Sequence, residues 1–166
     1  MKKAVSVILL SMIVFALCTG CGEQKAEENQ MSMIGNPWSD WQSVKDAEAA
    51  VGFSFGLPQV IADSYNVVNI STMNNELIQV VYRDGDYEVC VRKQKGENQD
   101  ISGDYNEYEV CTESTREGAV ITDCHNLDNS AVKQLVSYNG YSWSIVASNG
   151  FRADTNNDFV TAILQQ

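Results

Sequence analysis

Leu77-Ile78-Gln79-Val80-Val81-Tyr82-Arg83-Asp84-Gly85-Asp86-Tyr87-Glu88-Val89-Cys90-Val91-Arg92 is the stretch that decides the fold. Apolar residues recur at every second position on either side of Asp84-Gly85, the period of a strand with one buried face. A two-residue Asp-Gly connection favours a type I′ hairpin turn, since both central residues need positive φ. That turn predicts Tyr82 opposite Tyr87, Val80 opposite Val89 and Ile78 opposite Val91, all on one face. Gln79, Arg83, Asp86, Glu88, Cys90 and Arg92 fall on the other face, with Leu77 and Val81 as apolar exceptions.

A second hairpin repeats the pattern. Val132 to Tyr138 and Tyr141 to Ala147 flank Asn139-Gly140. The predicted pairs are Tyr138 with Tyr141, Val136 with Trp143, Gln134 with Ile145, and Val132 with Ala147. Between the two, Tyr108–Glu113 and Ala119–Cys124 suggest a less regular hairpin around residues 114–118. Tyr65–Thr72 reads as a first strand, and polar residues 95–106 read as a loop.

Two helices frame these strands. Ser43 is a candidate N-cap, Asp46 sits in the first turn, and Val44, Ala47, Ala50 and Val51 form an apolar stripe that Gly52 ends. Phe53, Phe55 and Leu57 alternate before Pro58. An amphipathic helix is expected from Asp154 to Leu164, capped by Asp154 or Thr155. The fold class is therefore α+β: one antiparallel sheet of about seven strands, with an N-terminal and a C-terminal helix packed on one face.

The N-terminus carries an address. Lys2 and Lys3 precede an apolar run, Ala4 to Ala16, of signal-peptide length and too short to span a bilayer comfortably. Small residues Thr19-Gly20 then precede Cys21. The expectation is a lipoprotein signal peptide over 1–20 with Cys21 as the lipidated first mature residue, although Cys18 fills the place where Leu17 would be usual. Residues 21–35 form a flexible tether and 36–166 a single domain. The protein is then anchored by acyl chains to the extracytoplasmic face of a cell membrane. Without residues 1–20 the chain has 9 Lys+Arg against 22 Asp+Glu, a charge of −13. Such acidity argues against nucleic acid and against a basic face lying on anionic headgroups.

Three cysteines remain in the domain, so at most one intramolecular disulfide forms. Cys90 and Cys111 share the polar face by alternation and are the first candidate pair; a pair with Cys124, or none, stays open.

Asn36-Pro37-Trp38, Ala50-Val51-Gly52-Phe53, Leu57-Pro58, Ile78-Gln79-Val80-Val81-Tyr82 with Asp84-Gly85-Asp86, and above all Ile101-Ser102-Gly103-Asp104-Tyr105-Asn106 resemble an uncharacterised extracytoplasmic domain family. It occurs in lipoproteins and anti-sigma-factor-like ectodomains of Gram-positive gut-type bacteria. The resemblance covers roughly residues 36–165. It implies a fold and a location but no activity and no catalytic residues. Its members usually lack the three domain cysteines.

Chemistry-bearing motifs are weak. Ser130-Ala131-Val132-Lys133 matches Ser-x-x-Lys but leads into a strand. Asp154-Thr155-Asn156-Asn157-Asp158 starts like a calcium loop, yet Phe159 and Gln165 occupy the places of its glycine and final acid. Asp123, Cys124, His125 and Asp128 fall short of a four-ligand metal site. Trp38, Trp41, Tyr82, Tyr87, Tyr138, Tyr141 and Trp143 suit core and cross-strand pairs better than a groove for a glycan or lipid. No metal or cofactor is expected. The first functional expectation is a non-enzymatic binding module of the cell envelope, using an exposed apolar patch of Leu77, Val81, Leu135 and Val146 to meet an envelope protein. The alternatives are a carrier or sensor of a hydrophobic ligand, which needs an unfilled cavity between sheet and helices, and a small hydrolase.

Overall fold

In the computed structural model, which describes residues 36–152, 155 and 157–166, the Asn139-Gly140 turn behaves as its sequence dictates. Both residues have positive φ, 52° and 81°. The flanking strands, β8 (Val132–Tyr138) and β9 (Tyr141–Ala147), pair in the predicted register from Tyr138–Tyr141 to Val132–Ala147.

The Asp84-Gly85 hairpin is corrected by one position in its turn. β4 (Leu77–Asp84) and β5 (Tyr87–Lys95) are joined by Gly85-Asp86, so Tyr82 meets Val89 and Val80 meets Val91. Only Gly85 has positive φ, 58°, the pattern of a turn with glycine at its first central position. Asp84 stays in the strand, where its carboxylate accepts from the Arg152 guanidinium at 2.6 Å. The even displacement leaves every side chain on its predicted face. Ile78, Val80, Tyr82, Val89 and Val91 are buried, and only Tyr87, at the strand end, is exposed.

Among the described residues the sheet has nine strands rather than about seven. Besides β3 (Tyr65–Met73), two short pieces were not legible: β1 (Trp38–Asp40) and β2 (Val60–Ile61), both on β3. The third hairpin is longer and more regular than expected: β6 (Val110–Arg116) and β7 (Ala119–His125) turn at Glu117-Gly118, again with both φ positive. The strand order is β1-β3-β4-β5-β9-β8-β7-β6, and every pairing is antiparallel. The chain leaves β5, crosses to the far edge, and walks back to pair β9 with β5. Residues 96–109 make that crossing.

Helix placement also differs from the expected second layer. α1 (Val44–Val51) has the predicted caps: the Asp46 N–H donates to Ser43 Oγ, and Gly52 has φ 73°. It follows β1 and packs mainly against β3 and β4. α2 (Asp158–Leu164), with Asn157 as its N-cap, starts later than expected; Asp154 lies outside the described residues, and the Thr155 hydroxyl donates to the Arg152 carbonyl instead of capping the helix. α2 contacts β2, and its Thr161 hydroxyl accepts from Arg116 of β6. Phe53, Phe55 and Leu57, in irregular backbone, are buried in the same core. Phe55 packs on Trp143, and Phe159 of α2 packs on Tyr65, Tyr82 and Phe151. Aromatic side chains thus fill much of the space between sheet and helices, and an opening of about 150 Å³ remains beside Lys93, Tyr141, Trp143 and Ile163. No described helix is long and apolar enough to cross a membrane.

Candidate binding groove

The face of the sheet away from the helices is set by strand alternation. Its central row runs Glu113, Thr122, Leu135, Ser144, Arg92, Gln79 across β6-β7-β8-β9-β5-β4. The next row runs Cys111, Cys124, Lys133, Val146, Cys90, Val81. The crossover 96–109 lies over this face and is fastened to it. Asn98 and Gln99 donate backbone N–H groups to Ser137 Oγ and Ser142 Oγ, at 3.2 and 3.0 Å. Arg92 Nη1 donates to the carbonyls of Ile101 and Ser102, at 3.1 and 2.6 Å, while its Nε donates to Gln79. The guanidinium also lies 5.2 Å from the Trp38 ring centre. Lys133 Nζ donates to the Asp104 carbonyl and to Asp100.

The crossover holds its own shape by side-chain-to-backbone bonds. Asp100 accepts from the Ser102 N–H and hydroxyl, Ser102 from the Asp104 N–H, and Asp104 from the Asn106 N–H. Such short polar side chains offer the backbone turns in place of a ladder. The Tyr108 hydroxyl donates to Asp104. Burial pushes the Asp100 carboxyl up, but the Ser102 hydroxyl and N–H and the Lys133 ammonium outweigh it and hold the group below the usual range. Burial and the Asp104 carboxylate both push the Tyr108 phenol up.

Between the crossover and β6–β8 an open groove of about 270 Å³ remains, lined by Asn98, Asp100, Glu113, Val120, Thr122 and Leu135 among others. Its lining includes the apolar side chains of Val120 and Leu135, two carboxylates, Asp100 and Glu113, and two amides, Asn98 and Gln99. That combination suits a ligand with apolar parts and positive or hydrogen-bond-donating parts.

The expected apolar patch is corrected. Leu77 is buried at 2 % exposure, and Val81, Leu135 and Val146 are only partly exposed. Val81 and Val146 flank Cys90, Leu135 floors the groove, and Leu77 lies in another row opposite Gln94. The patch fails because the polar segment 95–106 lies over this sheet face instead of looping into solvent. Nothing in its composition announces that; only the non-local pairing of β5 with β9 sends it across.

The candidate cysteine pair is corrected too. Cys111 is bonded to Cys124, directly opposite on β7 with Cα atoms 4.1 Å apart, and Cys90 is free. Three strands separate Cys90 from Cys111, far beyond disulfide reach. Burial pushes the Cys90 thiol up, away from the reactive thiolate. Asp123 accepts from Gln134 Nε2 and lies 3.6 Å from His125; Asp128 accepts from the Ser130 N–H. Among the described residues, no three His, Cys, Asp or Glu are placed to share a metal ion.

Sequence reasoning missed Lys93, a lysine in the core face of β5 with 5 % exposure. Its Nζ donates to the carbonyls of Ser54 and Phe55 and to Gln166 Oε1, and lies 4.4 Å from both the Tyr141 and Trp143 ring centres. It pins the buried coil and the C-terminus to the sheet. Burial lowers its pKa to about 8, with Glu48 acting weakly in the opposite direction. An unfolded lysine titrates near 10.5, so between those values the unfolded chain holds the extra proton and stability rises with pH. Relative to Lys93→Met, the wild-type protein should gain about 2–3 kcal/mol in urea unfolding between pH 7 and pH 10. A constant difference between the two proteins across that range would refute this assignment. The signal available in the sequence was a lone Lys at a buried position of an otherwise apolar alternation.

Compared with family models, curated proteins and solved structures, the chain finds no match.

Proposed function

We propose that this chain is an exported lipoprotein, held by acyl chains on Cys21 at the outer face of the membrane. Its domain is a non-enzymatic binding module that takes its partner in the groove between the crossover and β6–β8. The anchor rests on Lys2-Lys3, the run Ala4–Ala16 and Thr19-Gly20-Cys21, all outside the described residues. A disulfide in so small a domain accords with an oxidising compartment. The single observation that carries the binding reading is the groove itself: it stays open beside Leu135, with carboxylates, amides and methyl groups in its lining. Such groups recognise a ligand without calling for a reaction.

The test places a photo-crosslinking amino acid at Leu135 in cells making the full chain. A discrete adduct should form at Leu135 and be lost when Thr122→Trp fills the groove. In the same cells Cys21→Ala should abolish labelling by a fatty-acid probe and release the protein to the medium. Absence of any adduct at Leu135 overturns the groove; unchanged membrane attachment of the Cys21→Ala protein overturns the anchor.

A further inference from the structure

Among the described residues β6 is an open edge of the nine-stranded sheet, and Cys111 to Arg116 are all exposed. The other edge, β1, is three residues long. Which backbone groups face outward follows from the pairing with β7. Arg116 and Ala119 flank a two-residue turn and exchange the closing hydrogen bonds of the hairpin. Cys111 and Cys124, with Cα atoms 4.1 Å apart, have the closer spacing of a non-bonded pair. So Thr112, Ser114 and Arg116 bond to β7, while the N–H and C=O groups of Cys111, Glu113 and Thr115 point away from the sheet. A long edge of this kind is normally blunted by lysine, proline or a covering element. β6 contains neither lysine nor proline.

The charge around this edge is one-sided. Glu107 and Glu109 precede the strand, Glu113 lies within it and Glu117 follows it. The one cation of the strand, Arg116, is already engaged by Glu117 at 3.6 Å and by Thr161. Among the described residues Glu113 has no ion-pair partner. A second copy of the chain fits poorly. Antiparallel self-pairing must set outward residues against outward residues, and the register centred on this strand then opposes Glu113 to its own twin.

Building on the binding-module reading, we propose that the partner is a basic peptide segment that adds to β6 as an extended tenth strand. It takes the outward backbone groups of Cys111, Glu113 and Thr115. Its cationic side chains lie on the face of Glu113, beside the groove that Glu113 and Leu135 line. Main-chain bonds supply affinity and alternate side chains supply selectivity, as in other strand additions.

The test uses the mature domain and a short end-blocked peptide alternating lysine and valine, followed by NMR. Binding should protect the amides of Cys111, Glu113 and Thr115 from hydrogen exchange. It should weaken about tenfold between low and high salt, since exposed charges are screened. A peptide N-methylated along the edge facing β6 should not bind. Thr115→Pro removes one outward donor without touching the ladder to β7 and should weaken binding about tenfold or more. No binding, binding indifferent to N-methylation, or shifts confined to Val120 and Leu135 without protection on β6 would each overturn the proposal. If the Leu135 adduct still forms in cells while this peptide fails, the edge inference alone falls.

Discussion

Phe159→Ala should lower the unfolding free energy by about 3–5 kcal/mol, enough to leave the domain largely unfolded at physiological temperature. Phe159 is fully buried, and its ring centre lies 5.4 Å from Tyr65, 5.5 Å from Tyr82 and 5.8 Å from Phe151. The contacts with Tyr65 and Tyr82 are edge-on, so removal forfeits ring–ring attraction as well as buried area. α2 has only seven residues and cannot persist by its own propensity. It depends on Phe159, Val160, Ile163 and Leu164, all buried. Losing Phe159 should therefore release the whole helix, and with it Gln166, one of the three acceptors of Lys93. Denaturant unfolding by circular dichroism measures the effect. Phe159→Leu, which keeps most of the volume, should cost less than half as much; equal losses would mean that ring contacts and cavity volume are not what the position supplies.

Arg92→Met should cost about 2–3 kcal/mol and, more tellingly, free the crossover from the sheet. The guanidinium is the densest fastening on that face: two carbonyls of the crossover, Gln79 and the Trp38 ring all converge on it. Methionine preserves the stem and much of the packing but leaves those acceptors without a donor. Gly103, with φ 61°, belongs to the same device, since a Cβ there would stand 2.4 Å from Arg92 Nη1. Hydrogen exchange should show amides of residues 97–106 opening in Arg92→Met while β8 and β9 stay protected. The photo-adduct at Leu135 should be lost, because the groove then lacks one wall. A variant whose crossover remains protected would show that the self-bonded turns from Asp100 to Asn106 hold the segment without Arg92.

The legible parts of this molecule are those whose cause is local. Asn139-Gly140 demands two positive φ values, which fixes the whole register of β8 and β9. Ser43, Asp46 and Gly52 bound α1 to the residue. At Asp84-Gly85-Asp86 two overlapping two-residue turns compete in the sequence, and the Asp84–Arg152 contact from a segment 68 residues away accompanies the one adopted. β1 and β2 carry no period of their own at three and two residues. The groove was half legible: Leu135 stood out as an apolar residue on a polar face, but its wall, Asn98 to Asp100, read only as loop.

Sequence alone determined the face that most strand residues take, the reversal at Asn139-Gly140, and that one antiparallel sheet with two helices results, because strand alternation, turn backbone and helix caps act over a few residues. Tertiary structure decided that β5 pairs with β9, that residues 96–109 therefore cross the second face, that Cys124 and not Cys90 meets Cys111, and that β6 is left as the open edge. Those outcomes depend on contacts between residues far apart in the chain, such as the Gln99 N–H with Ser142 Oγ, 43 residues apart, and Lys93 with Gln166, 73 residues apart, whose energies no local pattern records.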